Sequence, residues 1–200
     1  GITAAITNLM SSVCMVIMNR FLTPYGNEAL AAMCMVLKVN MIAQLILVGF
    51  AFGGVPVYGF LYGSKNHAKL KELSKFCIMF LSGIALAFSV VLIGLARPIM
   101  SGFTSDPVVF EYCVKMLRFM TFGTVFVAVV LYTSVYFQAT GRVVQAFIMS
   151  ISRQGVVFMI VIVIMSRVAQ LNGVLLSQAV ADLVSAAIGL LLYLGAIKKN

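Results

Sequence analysis

"GVPVYGFLYGSKN", residues 54–66, closes a helix-forming and largely apolar run that begins at Ala29 and continues for 35 residues to Gly63. At 1.5 Å per residue an unbroken helix of that length is roughly 50 Å long, whereas a bilayer core is about 30 Å thick. The quoted stretch resolves the excess. Pro56 has no N–H to give to the carbonyl of Phe52, and Gly53 and Gly54 weaken the same turn. The sequence therefore predicts a helix that has spanned by residue 52, bends between Phe52 and Val57, and continues as an extension ending near Ser64. Gly59 and Gly63 form a GxxxG pair, which either lets a second helix backbone approach closely or belongs to a kinked helix with no partner there.

The rest of the chain has the same character. It is 62% hydrophobic and 10% charged, with a mean hydropathy of +1.11. Soluble domains carry about 25% charged residues, so this chain lacks the polar surface to cover a globule in water. The expected class is an all-α integral membrane protein, with the lipid bilayer as its first partner. Six apolar segments follow in order: 1–22, 29–63 kinked near 53–56, 69–96, 107–137, 144–166 and 173–197. Turn chemistry separates them. Pro24 and Gly26 precede an N-cap expected at Asn27, with Glu28 in the first turn. Asp106 stands at an N-cap position before Pro107, Gly141 marks a helix stop, and Asn172 is expected to cap the last helix.

The net charge of +9 reads as loops facing a cytoplasm rather than as a nucleic-acid surface. With the N-terminus inside, Lys65, Lys69, Lys71, Lys75, Arg142, Lys198 and Lys199 lie on the cytoplasmic side, against Arg20, Arg97 and Arg167 outside. Both ends are then cytoplasmic in a multi-pass arrangement. The chain opens at Gly1 directly into apolar sequence with no signal peptide, and reads as cut from something longer. The four cysteines fall inside apolar segments without CxxC spacing and read as buried thiols rather than as disulfides or a metal site.

Six motifs occur in register with the six segments: "PYGNEALAAM" (24–33), "GVPVYGFLYGSKN" (54–66), "FTSDP" (103–107), "YFQATGR" (136–142), "SRQG" (152–155) and "VADLVS" (180–185). In order and spacing the whole chain resembles the second six-helix lobe of the multidrug and toxic compound extrusion (MATE) transporters. The resemblance implies half of a twelve-helix fold, partnered by an N-terminal lobe. It implies an antiporter driven by H⁺ or Na⁺ that exports small amphipathic, often cationic, compounds from a plasma (bacterial inner) membrane by alternating access between the lobes, with no cofactor beyond the coupling ion. The sodium-coupled branch of that family uses carboxylates in the first and fourth helices of this lobe. Here the first helix has no acid and the fourth has only Glu111 near its outer end, so the expected coupling site moves largely to the other lobe.

The residues themselves exclude an enzyme. There are five acids and a single histidine, His67, in a basic loop, with no HExxH and no phosphate-cradling loop. What stands out is ionisable groups at membrane depth, which are costly there and functional by default. Lys38 and Asp182 each lie about ten residues from an outer helix end, hence roughly 15 Å deep, and are expected to be electrostatically linked. Arg118 is placed at similar depth, sharing a helix face with Glu111 and Lys115, and Glu111 can pair with Lys115. Arg153 is read either as deep or as lining the inner mouth. The candidate substrate or ion-coupling residues are Lys38, Asn40, Gln44, Arg118 and Asp182, with Gln138 as a further cavity-lining group. The 13 methionines read as apolar filling before they read as an adaptable drug surface. Two alternatives to drug export stand beside it: a relative that flips lipid-linked or anionic substrates, motivated by the surplus of deep cations, and a non-transporting membrane scaffold, for which charges at mid-membrane would serve nothing.

Overall fold

The structure, a computed structural model, describes residues 2–198, with side-chain surroundings for residues 8–153 and 155–196. The Lys198 side chain and all of Lys199, counted above on the inner side, lie outside that range. The described residues are helical and contain no strand. In chain order they form α1 (Ile2–Leu22), a 3-10 turn (Thr23–Tyr25), α2 (Asn27–Gly53), α3 (Val55–Gly63), α4 (His67–Gly94), α5 (Ala96–Ser101), α6 (Pro107–Phe122), α7 (Thr124–Ala139), α8 (Val143–Ile151), a π-helical segment (Ser152–Val156) and α9 (Val157–Lys198).

Local chemistry sets the boundaries. α2 and α3 are separated by Gly54 alone, whose N–H turns back to the Phe52 carbonyl. The cap before α2 is Gly26 rather than Asn27: a φ of 99° suits glycine, and Asn27 becomes the first helical residue with no side-chain cap. Asp106 does cap α6, its Oδ1 accepting from the N–H groups of Val108 at 2.8 Å and Val109 at 3.3 Å, with Pro107 in the first turn. Gly141, at φ 69°, turns the chain after α7.

Two segments expected as continuous helices are not. The run over 107–137 bends by 44° between α6 and α7 at Gly123. The run over 144–166 carries the π segment, within which Gly155 leaves helical geometry at φ −121°, ψ −108°. Conversely, α9 has 42 residues, too many for one crossing, and it breaks at Ala169 and Gln170, the latter at φ 47°. Its limbs, 157–168 and 171–198, run antiparallel. Arg142 Nη2 donates to the Ala196 carbonyl at 3.4 Å, Met149 packs at Gly189, Arg153 meets Asp182, and Gly173 lies against the Met165 carbonyl. As one partner's number rises the other's falls, which is the register of a helical hairpin. The reversal therefore comes ahead of the Asn172 cap expected from sequence, and Asn172 sits inside the second limb.

Among the described residues the elements thus make six rods: α1, α2–α3, α4–α5, α6–α7, α8 with the first limb of α9, and the second limb. Asn27–Gly63, His67–Gly94 and Val157–Ala196 are each long and apolar enough to cross a membrane, and α6–α7 makes a fourth such stretch if taken as one bent span. Large apolar side chains point outward, among them Phe60, Val168 and Leu191 at 72%, 76% and 70% exposure, as a surface facing lipid or another transmembrane surface requires.

Two buried clusters hold the rods together. One joins α1, α2, α6 and α9 through residues such as Met33, Val36, Cys113, Leu117 and Phe158. The other centres on the rings of Tyr58, Tyr132, Tyr136 and Tyr193, packed edge to face or tilted at centroid distances of 5.0–6.1 Å. Gly123 lies directly against the backbone of the last limb, where an added Cβ would stand 2.8 Å from the Ala179 Cα. Gly59 of the GxxxG pair is an ordinary 3.8 Å from the Ala139 carbonyl, and Gly63 has nothing within 4 Å.

Candidate functional site

Among the described residues the most enclosed charge is Asp182, on the second limb of α9, with 3% of its side chain exposed. A carboxylate so far from water needs compensation. Arg153 supplies it: Nε donates to Asp182 Oδ1 at 2.9 Å, and the Arg153 side chain is itself only 14% exposed. Gln178, one turn before Asp182, interacts with the same carboxylate, and its Oε1 faces the Cys14 thiol of α1 at 3.8 Å. The ion pair therefore ties the π segment to the last limb, and Gln178 links the last limb to α1.

Arg153 lies between Asp182 and open space. It lines two adjoining cavities of about 230 and 360 Å³, which also share Ser11 and Gln44. Asn40 and Gln44, one turn apart on α2, face the first cavity, and Gln138 of α7 faces the second. Both linings are otherwise amide, hydroxyl, thiol, thioether and hydrocarbon, with no acidic side chain. The result is a mid-molecule cleft with hydrogen-bonding groups around one guanidinium.

The structure brings together Asn40, Gln44 and the Arg153–Asp182 pair, and it separates them from the other expected site residues. Lys38 is not the partner of Asp182. It is exposed on α2 and forms no ion pair among the described residues. Val36, Asn40, Ala43 and Leu47 make the buried stripe of that helix, and Lys38, two residues from both Val36 and Asn40, projects about 200° round from it. Arg118 is likewise exposed and outside the cleft. With Lys115 and Glu111 it lines a separate open groove of about 620 Å³, where Glu111 pairs with Arg97 at 3.4 Å rather than with Lys115. That pair is more than 60% exposed on both sides and contributes at most about 1 kcal/mol. Gln178 escaped the sequence reading, although a glutamine one turn before a buried aspartate was a legible signal. Among the described residues no group of three or more His, Cys, Asp or Glu side chains could hold a metal.

The family model described as MatE matches residues 3–164. The multidrug export protein MepA of Staphylococcus aureus (strain MRSA252) is 28% identical over 192 residues, which are 96% of this chain and 42% of that protein. MepA of Staphylococcus haemolyticus (strain JCSC1435) is 28% identical over 187 residues, or 93% and 41%. This chain thus spans less than half the length of these curated relatives. Two solved structures show the same fold. A MOP superfamily transporter from Pyrococcus furiosus superposes with a TM-score of 0.91 at 23% identity, over all of this chain and 46% of that one. The Vibrio cholerae MATE transporter VcmN in the bent form superposes with 0.91 at 17% identity, over 98% and 45%.

Proposed function

This chain belongs to the MatE family, and on that premise we propose that it forms the C-terminal lobe of a longer cation-coupled multidrug efflux antiporter. The observation that carries this reading is coverage: 98–100% of the chain matches the two solved transporters in fold yet fills just under half of each. An even number of rods allows two lobes related by an axis along the membrane normal, with a substrate site between them. In this reading the lobe sits in the plasma membrane with the Lys65–Lys75 loop and both ends in the cytoplasm, following the basic-residue bias. Its cleft forms one wall of the substrate path, amphipathic organic cations are the main cargo, and H⁺ or Na⁺ flowing inward drives export through a coupling site held largely by the other lobe. Transport requires no nucleophile and no cofactor of this lobe.

The test uses everted membrane vesicles from an efflux-deficient bacterium that carry the complete transporter. Energised vesicles should accumulate ethidium under an imposed proton or sodium gradient and release it when that gradient is collapsed. Absence of uptake under both gradients, with the protein correctly folded and inserted, overturns the reading.

A further inference from the structure

We propose that Arg153 is the residue of this lobe that receives the carboxylate of an amphipathic zwitterionic substrate; the proposal rests on the transport reading above and assigns a residue to substrate selection. Three features of the molecule carry it. The first is the distribution of charge. Among the described residues that line the two adjoining cavities Arg153 is the only charged one, and its partner Asp182 is walled off behind it at 3% exposure. A ligand in either cavity therefore meets the cationic end of the ion pair and no carboxylate. A purely cationic amphiphile in this cleft depends for its counter-charge on the other lobe, whereas a carboxylate finds one here.

The second is donor capacity. A guanidinium carries five N–H donors in a rigid fork, and Asp182 engages Nε, so most of the fork is left for a planar acceptor. The side-chain amides of Asn40 and Gln44 line the same cavity and add donors from α2. The third is placement. Arg153 stands on the π segment, a widened turn that is rare in proteins and frequent at functional sites, followed by the non-helical Gly155. The ion pair fixes the guanidinium from behind, so its position does not depend on the ligand.

The test compares norfloxacin, a zwitterion at neutral pH, with its ethyl ester, which keeps the amine and ring system but lacks the carboxylate. Transport of both is measured in vesicles carrying the complete transporter. The variant Arg153→Gln combined with Asp182→Asn removes both charges and leaves neither buried alone. It should raise the KM for norfloxacin about tenfold more than that for the ester, the scale of a lost charge-assisted hydrogen bond. Arg153→Lys keeps the charge but loses the fork, and should raise the norfloxacin KM relative to that of the ester by a smaller factor. If the double variant fails to fold, the Arg153→Lys comparison decides alone. Equal changes for acid and ester, or none for either, overturn the subsite. A wild-type transporter that moves neither compound, nor ethidium, overturns the transport reading instead.

Discussion

Removing Asp182 alone should do more harm than removing Asp182 and Arg153 together. Both side chains are withdrawn from solvent, and a lone buried charge is the costly state: breaking such a pair destabilises by about 3–5 kcal/mol, while replacing both partners is often neutral. A cycle of Arg153→Met, Asp182→Leu and the double variant, read by thermal melting of the purified transporter in detergent, should show the double variant more stable than Asp182→Leu. Strictly additive losses would mean that the pair carries no coupling. Sequence made Asp182 legible, because an acid in a long apolar segment advertises itself. It did not reveal the partner. Counting residues from a helix end gives depth but not azimuth, and Lys38 shares the expected depth while facing away. Arg153 was in view as a deep or mouth residue, but its aim depends on a π segment whose sequence, "SRQGV", carries no periodicity signal. Asn40 and Gln44 were legible only as a pair, since polar side chains one turn apart on a helix share a face; that this face meets a cavity was not legible.

Glycines act on the elements unequally. Gly123 sits at the 44° joint between α6 and α7 and lets that joint press against Ala179 of the last limb, where a Cβ would come within 2.8 Å of backbone. Gly123→Val should therefore force the rods apart and cost about 1–3 kcal/mol or more, the scale of overpacking a well-fitted contact. Gly63→Ala, in open space, should be neutral or slightly stabilising, since alanine favours helix by up to about 1 kcal/mol. Melting of fluorescent-protein fusions in detergent measures both, and equal behaviour of the two variants would refute the contrast. The sequence drew attention to Gly59 and Gly63 because of their spacing, yet the tight approach is elsewhere. Spacing shows which glycines share a helix face; only the neighbouring helix shows which of them is needed. The same limit explains the missed bend at Gly123 and the misplaced last turn, since a glycine or a polar pair inside an apolar run breaks a helix only where packing draws it aside. The break at Gly54 was legible because Pro56 removes a backbone bond in any environment.

For the whole molecule, the decisive property is that the cleft has one side. Arg153, Asn40 and Gln44 open between α1 and α2, and the exposed faces of those helices beside it are apolar: Met15, Val16, Met41, Ile42 and Leu45 are 46–67% exposed. Such a surface needs a cover, either lipid or a second transmembrane unit, and the share of the two solved transporters left unmatched, more than half of each, is large enough for the proposed second lobe. The proposed alternating access would need it too, because a site can be closed from one side of the membrane and opened to the other only when two bodies rock against each other. The 200-residue segment produced alone should therefore insert and fold but transport nothing. Vesicles containing it should show no gradient-driven ethidium uptake, and co-expression with the remaining half of the transporter should restore it. Uptake by the segment alone would sink the two-lobe account if cross-linking shows it monomeric. If cross-linking instead finds paired copies, the same exposed faces of α1 and α2 should be protected at the contact, because a second copy would then be standing where the other lobe belongs.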